Sequence, residues 1–219
     1  MKIICHLSHL FSVLLLFLPA SLSAKEGVIQ CANLIYGNNQ TSRCFSDEFL
    51  TSVQKETAIT TERRFKSVKL ASDELFQYPF VMITGEHEFH FTPAERRNLK
   101  KYLEKGGFLL ASAGCSNKDW DRSFRREMRE IFGKEKLTKL AFDQPVFRTV
   151  YAIKELKLTH GGEVTALEGL EMNGKLVMIY SAQGLNDTAH TEGCCCCGGN
   201  EIGNALQMNV NILVYALLH

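Results

Sequence analysis

The feature that most constrains the fold is a strand–helix–strand unit within residues 80–113. The unit opens and closes with continuous apolar runs, which are typical of strands covered on both faces. Between them, Thr92 can cap a helix, Pro93 suits its first position, and Glu95 can close a capping box. Gly106 ends the helix. Two buried strands joined by a helix predict parallel pairing in one sheet.

The rest of the chain continues this alternation. Strands are predicted at residues 29–36, 65–70, 80–84, 108–113, 164–167 and 176–180, and helices at residues 45–57, 92–105, 120–132 and 203–218. Alternating elements of this kind predict a doubly wound α/β fold, with a mostly parallel sheet and helices on both faces.

Several segments together resemble one protein family. They are residues 78–85, 99–110, 121–127 and 209–217, and the resemblance runs from about residue 28 to the end of the chain. The family is the bacterial domain of unknown function family 4159. It is similar in architecture to the class I glutamine amidotransferase-like superfamily, so the resemblance implies a flavodoxin-like sheet. It implies no settled activity, because fold analogy does not transmit function.

The start of the chain has the pattern of a targeting segment. Residues 2–18 combine a basic residue with an apolar core too short to span a bilayer, and small residues allow cleavage after Ser23 or Ala24. A retained anchor is the alternative. We expect residues 1–24 to be a signal peptide and residues 25–219 a single α/β domain. The protein is then exported, periplasmic or extracellular, with no membrane span after cleavage.

Net charge and cysteine content limit the classes of binding partner and cofactor that the chain can have. The net charge of +1 gives no broad attraction to nucleic acid, so we expect none as partner. Export permits disulfides, and Cys31 and Cys44 lie close enough in sequence to close a small loop. Neighbouring side chains of an extended run point to opposite sides, so four adjacent thiols do not easily surround one zinc ion. We therefore expect the quartet to bind a metal such as zinc, or to form disulfides, only together with residues elsewhere in the fold. The quartet is Cys194, Cys195, Cys196 and Cys197.

Polar groups follow the strands at the edge where α/β sheets bind ligands. Glu86, His87 and His90 come directly after the 80–84 strand and are candidate ligand-binding residues, with metal ligation as one form of it. Asn186 and Asp187 follow the last strand and are candidates for the same role. The alternative is a pair of solvated polar loops.

Cys115 follows the strand at residues 108–113, where amidotransferase-like enzymes place a nucleophile on a tight turn. The resemblance therefore implies Cys115 as nucleophile, His190 as base and Glu192 as its orienting acid. Two features depart from that pattern: Ser116 replaces the second glycine of the turn, and the His-x-Glu spacing lies well beyond the strand. A structural disulfide or a buried thiol is the alternative role for the cysteine.

Three classes of function remain open. The first is a module of the cell envelope that binds a ligand or a partner protein, with a cysteine-rich loop over the carboxyl ends of the strands. The incomplete nucleophile turn favours it. The second is a thiol-dependent hydrolase or transferase that uses Cys115, and the third is a metal or redox site built on the cysteine quartet.

Overall fold

The computed structural model describes residues 27–38, 40–41, 44–134, 136–163, 166–191 and 199–219. The predicted signal peptide, residues 1–24, lies outside them, so it and the domain limits stay predictions. The described strands are β1 Val28–Ile29, β2 Ala32–Ile35, β3 Thr60–Thr61, β4 Lys66–Lys69, β5 Phe80–Gly85, β6 Phe108–Ala113, β7 Leu137–Lys139, β8 Glu168–Met172 and β9 Lys175–Ser181. The described α-helices are α1 Glu48–Glu56, α2 Pro93–Glu104, α3 Lys118–Phe132 and α4 Ala205–Leu218.

Seven of these strands form one sheet in the order β4-β2-β5-β6-β9-β8-β7. The first five are parallel, while β8 pairs antiparallel with β9 and β7 antiparallel with β8. Among the five parallel strands, the second in the chain lies outside the first, as in flavodoxin-like sheets. The predicted α/β fold with a mostly parallel sheet is therefore confirmed.

The sheet separates two apolar layers. Alternate residues of β5 point to opposite faces, because side chains of a strand alternate. Phe80 and Met82 join the layer of α1 and α4, whereas Val81 and Ile83 join the layer of α2 and α3. Helices thus cover both faces, which is why every residue of β5 and β6 is buried.

The helix start predicted from Thr92 and Glu95 is confirmed as a reciprocal capping box. The Glu95 amide donates to Thr92 Oγ1 at 3.2 Å, and the Thr92 amide donates to Glu95 Oε2 at 2.7 Å. The second carboxylate oxygen accepts from the amide of Gly37 at 2.9 Å. One side chain therefore both caps α2 and fixes the turn that follows β2.

The strand predicted at residues 164–167 is wrong in position. Residues 164–165 lie outside the described residues, and the strand observed is β8, which begins at Glu168. Glu168 is buried because Arg125 of α3 donates to both of its carboxylate oxygens, at 2.9 and 2.6 Å. At Gly169 a Cβ would lie 2.4 Å from a terminal methyl of Leu176, so a larger residue there would force that side chain to move. A glutamate followed by a glycine does not indicate a buried strand, which is why the sequence did not predict β8 at its observed position.

Within the described ranges, no helix combines the length and apolarity needed to cross a bilayer.

Candidate functional site

The loops after β5 and β6 meet at the carboxyl edge of the sheet. Because these strands are paired in parallel from Phe80↔Phe108 to Gly85↔Ala113, Glu86 and Cys115 leave the sheet side by side. Cys115 Sγ lies 3.9 Å from Glu86 Oε1. The carboxyl-edge position expected for both residues is thus observed.

The backbone at Cys115 makes a tight turn. Cys115 has φ 51° and ψ 34°, and Ser116 has φ 54°, so two consecutive non-glycine residues adopt the left-handed conformation. The Ser116 hydroxyl donates to the carbonyl of Gln183 at 2.8 Å. This bond ties the turn after β6 to the loop after β9, and supports a conformation that costs free energy by itself.

Cys115 is not a free thiol in this structure. Cys115 and Cys44 are each disulfide-bonded. Among the described cysteines only Cys31 is free; it is fully buried, and loss of solvation raises the pKa of its thiol to about 12. The expected loop closed by Cys31 and Cys44 is therefore wrong, because Cys31 faces the apolar layer of α1 and α4.

The end of the cysteine-rich loop returns to Cys115. Gly199 is the first described residue after the loop, and a Cβ there would lie 2.5 Å from the Cα of Cys115. Only glycine fits at that approach. The quartet Cys194, Cys195, Cys196 and Cys197 lies outside the described residues.

A buried carboxylate that sequence reasoning missed lies directly behind the turn. Glu201 Oε1 accepts from the amide of Cys115 at 2.9 Å, and Oε2 accepts from the hydroxyl of Thr188 at 3.0 Å. Burial raises the pKa of Glu201, against the opposing effect of these hydrogen bonds. The carboxylate joins the turn after β6 to the loop after β9. No motif marks it, since its partners are a backbone amide and a residue in a different turn.

His190 pairs with a carboxylate other than the one expected. It ends a short 3₁₀ turn, Thr188–His190, and its Nδ1 lies 2.8 Å from Oδ1 of Asp187. The hydrogen bond to Asp187 raises the pKa of His190, whose side chain is about half exposed. Asp187 is buried, with φ 52°, and its Oδ2 has no hydrogen-bond partner among the residues that the structure describes. Glu192, the expected orienting acid, lies outside the described residues.

Asn186 holds the loop after β9 against the ends of the central strands. Its amide nitrogen donates to the carbonyl of Cys44 at 2.6 Å and to Thr84 Oγ1 at 3.0 Å. Its amide oxygen accepts from the hydroxyl of Ser112. These contacts occupy both ends of a fully buried amide. Its role as a ligand-binding residue stays a prediction.

The two histidines of the loop after β5 are exposed. His90 lies near buried Glu127 of α3, with Nδ1 3.7 Å from Oε1, and Arg96 donates to the other oxygen of that carboxylate at 2.7 Å. In the ranges described above, no group of three or more His, Cys, Asp and Glu side chains is arranged to hold a metal ion. A zinc site that includes the cysteine quartet therefore stays a prediction.

The family resemblance is confirmed. A family model described as Domain of unknown function (DUF4159) matches residues 30–217, so the chain belongs to that family. None of the curated proteins matches the chain.

Proposed function

We propose that this member of the DUF4159 family is a module of the cell envelope that binds a ligand or a partner protein through the carboxyl edge of its sheet. The observation that carries the proposal is the state of Cys115. The residue stands where an enzyme on such a sheet would hold its nucleophile, yet its sulfur is in a disulfide and its amide is bonded to Glu201. Both features fit a structural role.

The contacts around the edge support a preformed surface. Asn186, Glu201 and Ser116 each join the loop after β9 to another loop or strand end. A surface that is already ordered loses less conformational entropy when it binds. Ordered loops on a rigid sheet are also where binding residues commonly lie.

Several polar groups at this edge remain available to a partner. His87 is exposed, Glu86 is partly buried, and the His190 side chain is about half exposed. Carboxylate and imidazole groups provide hydrogen bonds and charge that a polar ligand or a protein surface would use. These side chains are therefore the proposed contact residues.

The disulfides also support export. Disulfides persist in oxidising compartments and are rare in the cytosol. Bonded Cys44 and Cys115 therefore agree with the signal peptide expected at residues 1–24 and with a periplasmic or extracellular location. An envelope protein or a ligand of the envelope is the proposed partner.

A thiol-dependent hydrolase or transferase is the second candidate. The left-handed turn at Cys115, the neighbouring Glu86 and the pair of His190 with Asp187 favour it. It requires a dithiol reductant that cleaves the disulfide and leaves Cys115 as a thiol. His190 would then act as the base, oriented by Asp187. A metal or redox site on the cysteine quartet stays a prediction.

Site-specific photo-crosslinking in cells tests the binding surface. A photoreactive amino acid replaces His87 at the carboxyl edge or, as the control, exposed Lys105 after α2. We expect a discrete crosslinked product from position 87 and none from position 105. No product at either position, or the same products at both, would contradict the proposed surface.

An activity assay separates the two candidates. The reduced protein is assayed against ester and amide substrates beside Cys115→Ser and Cys31→Ser. The binding proposal predicts that Cys115→Ser abolishes no activity. Turnover that is lost in Cys115→Ser but kept in Cys31→Ser would establish the hydrolase instead.

A further inference from the structure

A second surface, along α3 and the antiparallel edge of the sheet, combines positive charge with apolar residues. Between the C-terminal half of α3 and the edge strands β7 and β8 lies a cavity of about 290 Å³. A neighbouring cavity of about 310 Å³ shares two of its lining residues, Arg125 and Arg129, so the two form one groove along α3.

Four basic residues and one acidic residue line the first cavity, whereas Glu88 and Asp119 add acidic groups to the second. Arg125 is neutralised, because it donates to both oxygens of Glu168 and to Asp121 at 2.7 Å. Arg129 and Lys136 are both exposed, as is Lys134 between them, and none of the three has an ion-pair partner among the described residues. Three cations thus surround one cavity, in a chain whose overall net charge is only +1.

The wall between these cations is apolar. Met128 and Leu170 are almost fully buried, and Phe132 and Leu137 are partly exposed toward the cavity that all four line. Arginine and lysine side chains at a helix C-terminus are favoured by the helix dipole, which accounts for Arg129 in the last turn of α3. The dipole does not account for an apolar cavity beside the cations.

We infer that this groove binds a small organic anion, a carboxylate or phosphate ester attached to an apolar group. Arg129, Lys134 and Lys136 contact the anion, and Phe132 and Leu137 contact the apolar part. The volume is close to the lower limit of small-molecule sites, about 300 Å³, and fits a single ring or a short chain. This inference is independent of the function proposed for the carboxyl edge.

Titration calorimetry with phenyl phosphate tests the site, with inorganic phosphate and benzyl alcohol as separate probes of charge and apolar contact. We expect phenyl phosphate to bind at least about tenfold more tightly than either, since only it satisfies both halves of the groove. Equal affinity for phenyl phosphate and inorganic phosphate, or no binding of phenyl phosphate, would overturn the inference.

Charge variants locate the binding. The double variant Arg129→Gln with Lys136→Gln should weaken phenyl phosphate binding about tenfold or more, whereas Arg97→Gln should leave it unchanged. Arg97 is an exposed arginine of α2 outside both cavities, so its loss controls for net charge. Circular dichroism confirms that each variant is folded. Equal weakening by Arg97→Gln would overturn the site.

A membrane surface is the competing source of such anions. Co-sedimentation with phosphatidylglycerol vesicles, compared with neutral phosphatidylcholine vesicles, distinguishes the two. We expect no sedimentation with either lipid at physiological salt. Sedimentation with the anionic vesicles that Arg129→Gln with Lys136→Gln abolishes would assign the groove to lipid headgroups and overturn the small-ligand site.

Discussion

Replacement of Asn186 by alanine should destabilise the protein through the loss of buried hydrogen bonds. Asn186 is fully buried, and its amide group is bonded to the Cys44 carbonyl, to Thr84 Oγ1 and to the Ser112 hydroxyl. Alanine leaves the carbonyl and the Ser112 hydroxyl short of a partner. Each such group costs about 1–2 kcal/mol, so the free energy of unfolding should fall by about 2–4 kcal/mol.

Urea unfolding without reductant measures this loss, with the midpoint and slope fitted together. Asn98→Ala is the matched control, because the Asn98 amide likewise donates two hydrogen bonds, to the carbonyls of Leu70 at 3.1 Å and Ser72 at 3.4 Å, but is only partly buried. We expect the control to lose about 1 kcal/mol. A loss in Asn186→Ala no larger than that in Asn98→Ala would refute the reasoning.

Three further predictions concern the same region and the buried thiol. Gly199→Ala should destabilise the protein by about 1–3 kcal/mol, since its Cβ would lie within 2.6 Å of the cysteine backbone after β6. Gly203→Ala, whose Cβ meets nothing closer than 3.5 Å, should be close to neutral in the same urea assay. Asp187→Asn should lower the pKa of His190 toward its ordinary value in an NMR titration, and an unchanged pKa would contradict the assigned pair. Because the pKa of His190 is raised in the folded protein, its contribution to stability is complete below about pH 6.5 and is lost as pH rises through the folded pKa. Cys31 should resist iodoacetamide at pH 8 in the folded protein and react fully in denaturant, because burial raises its pKa to about 12; rapid labelling of the folded form would contradict that.

The central part of the fold was predictable because its signals are local. The capping box at Thr92 and the apolar runs of β5 and β6 each lie within a few residues of the structure that they determine. The antiparallel edge was not predictable. The strand β8 begins at Glu168, whose burial depends on Arg125, a residue that is distant in sequence.

The candidate site also has one part that the sequence could predict and one part that it could not. Parallel strand pairing was enough to predict that Glu86 and Cys115 meet at one edge. The contacts of Glu201 and the pairing of Asp187 with His190 depend on how the loop after β9 folds, and no spacing rule indicates that.

The redox state of Cys115 tests the account most directly. The protein is expressed with export to the periplasm of a bacterial host and isolated without reductant. It is then treated with iodoacetamide in denaturant, and its peptides are mapped by mass spectrometry before and after reduction. We predict that Cys115 and Cys44 are unlabelled before reduction and labelled after it. Full labelling of Cys115 before reduction would contradict a structural disulfide, and would favour the thiol-dependent enzyme.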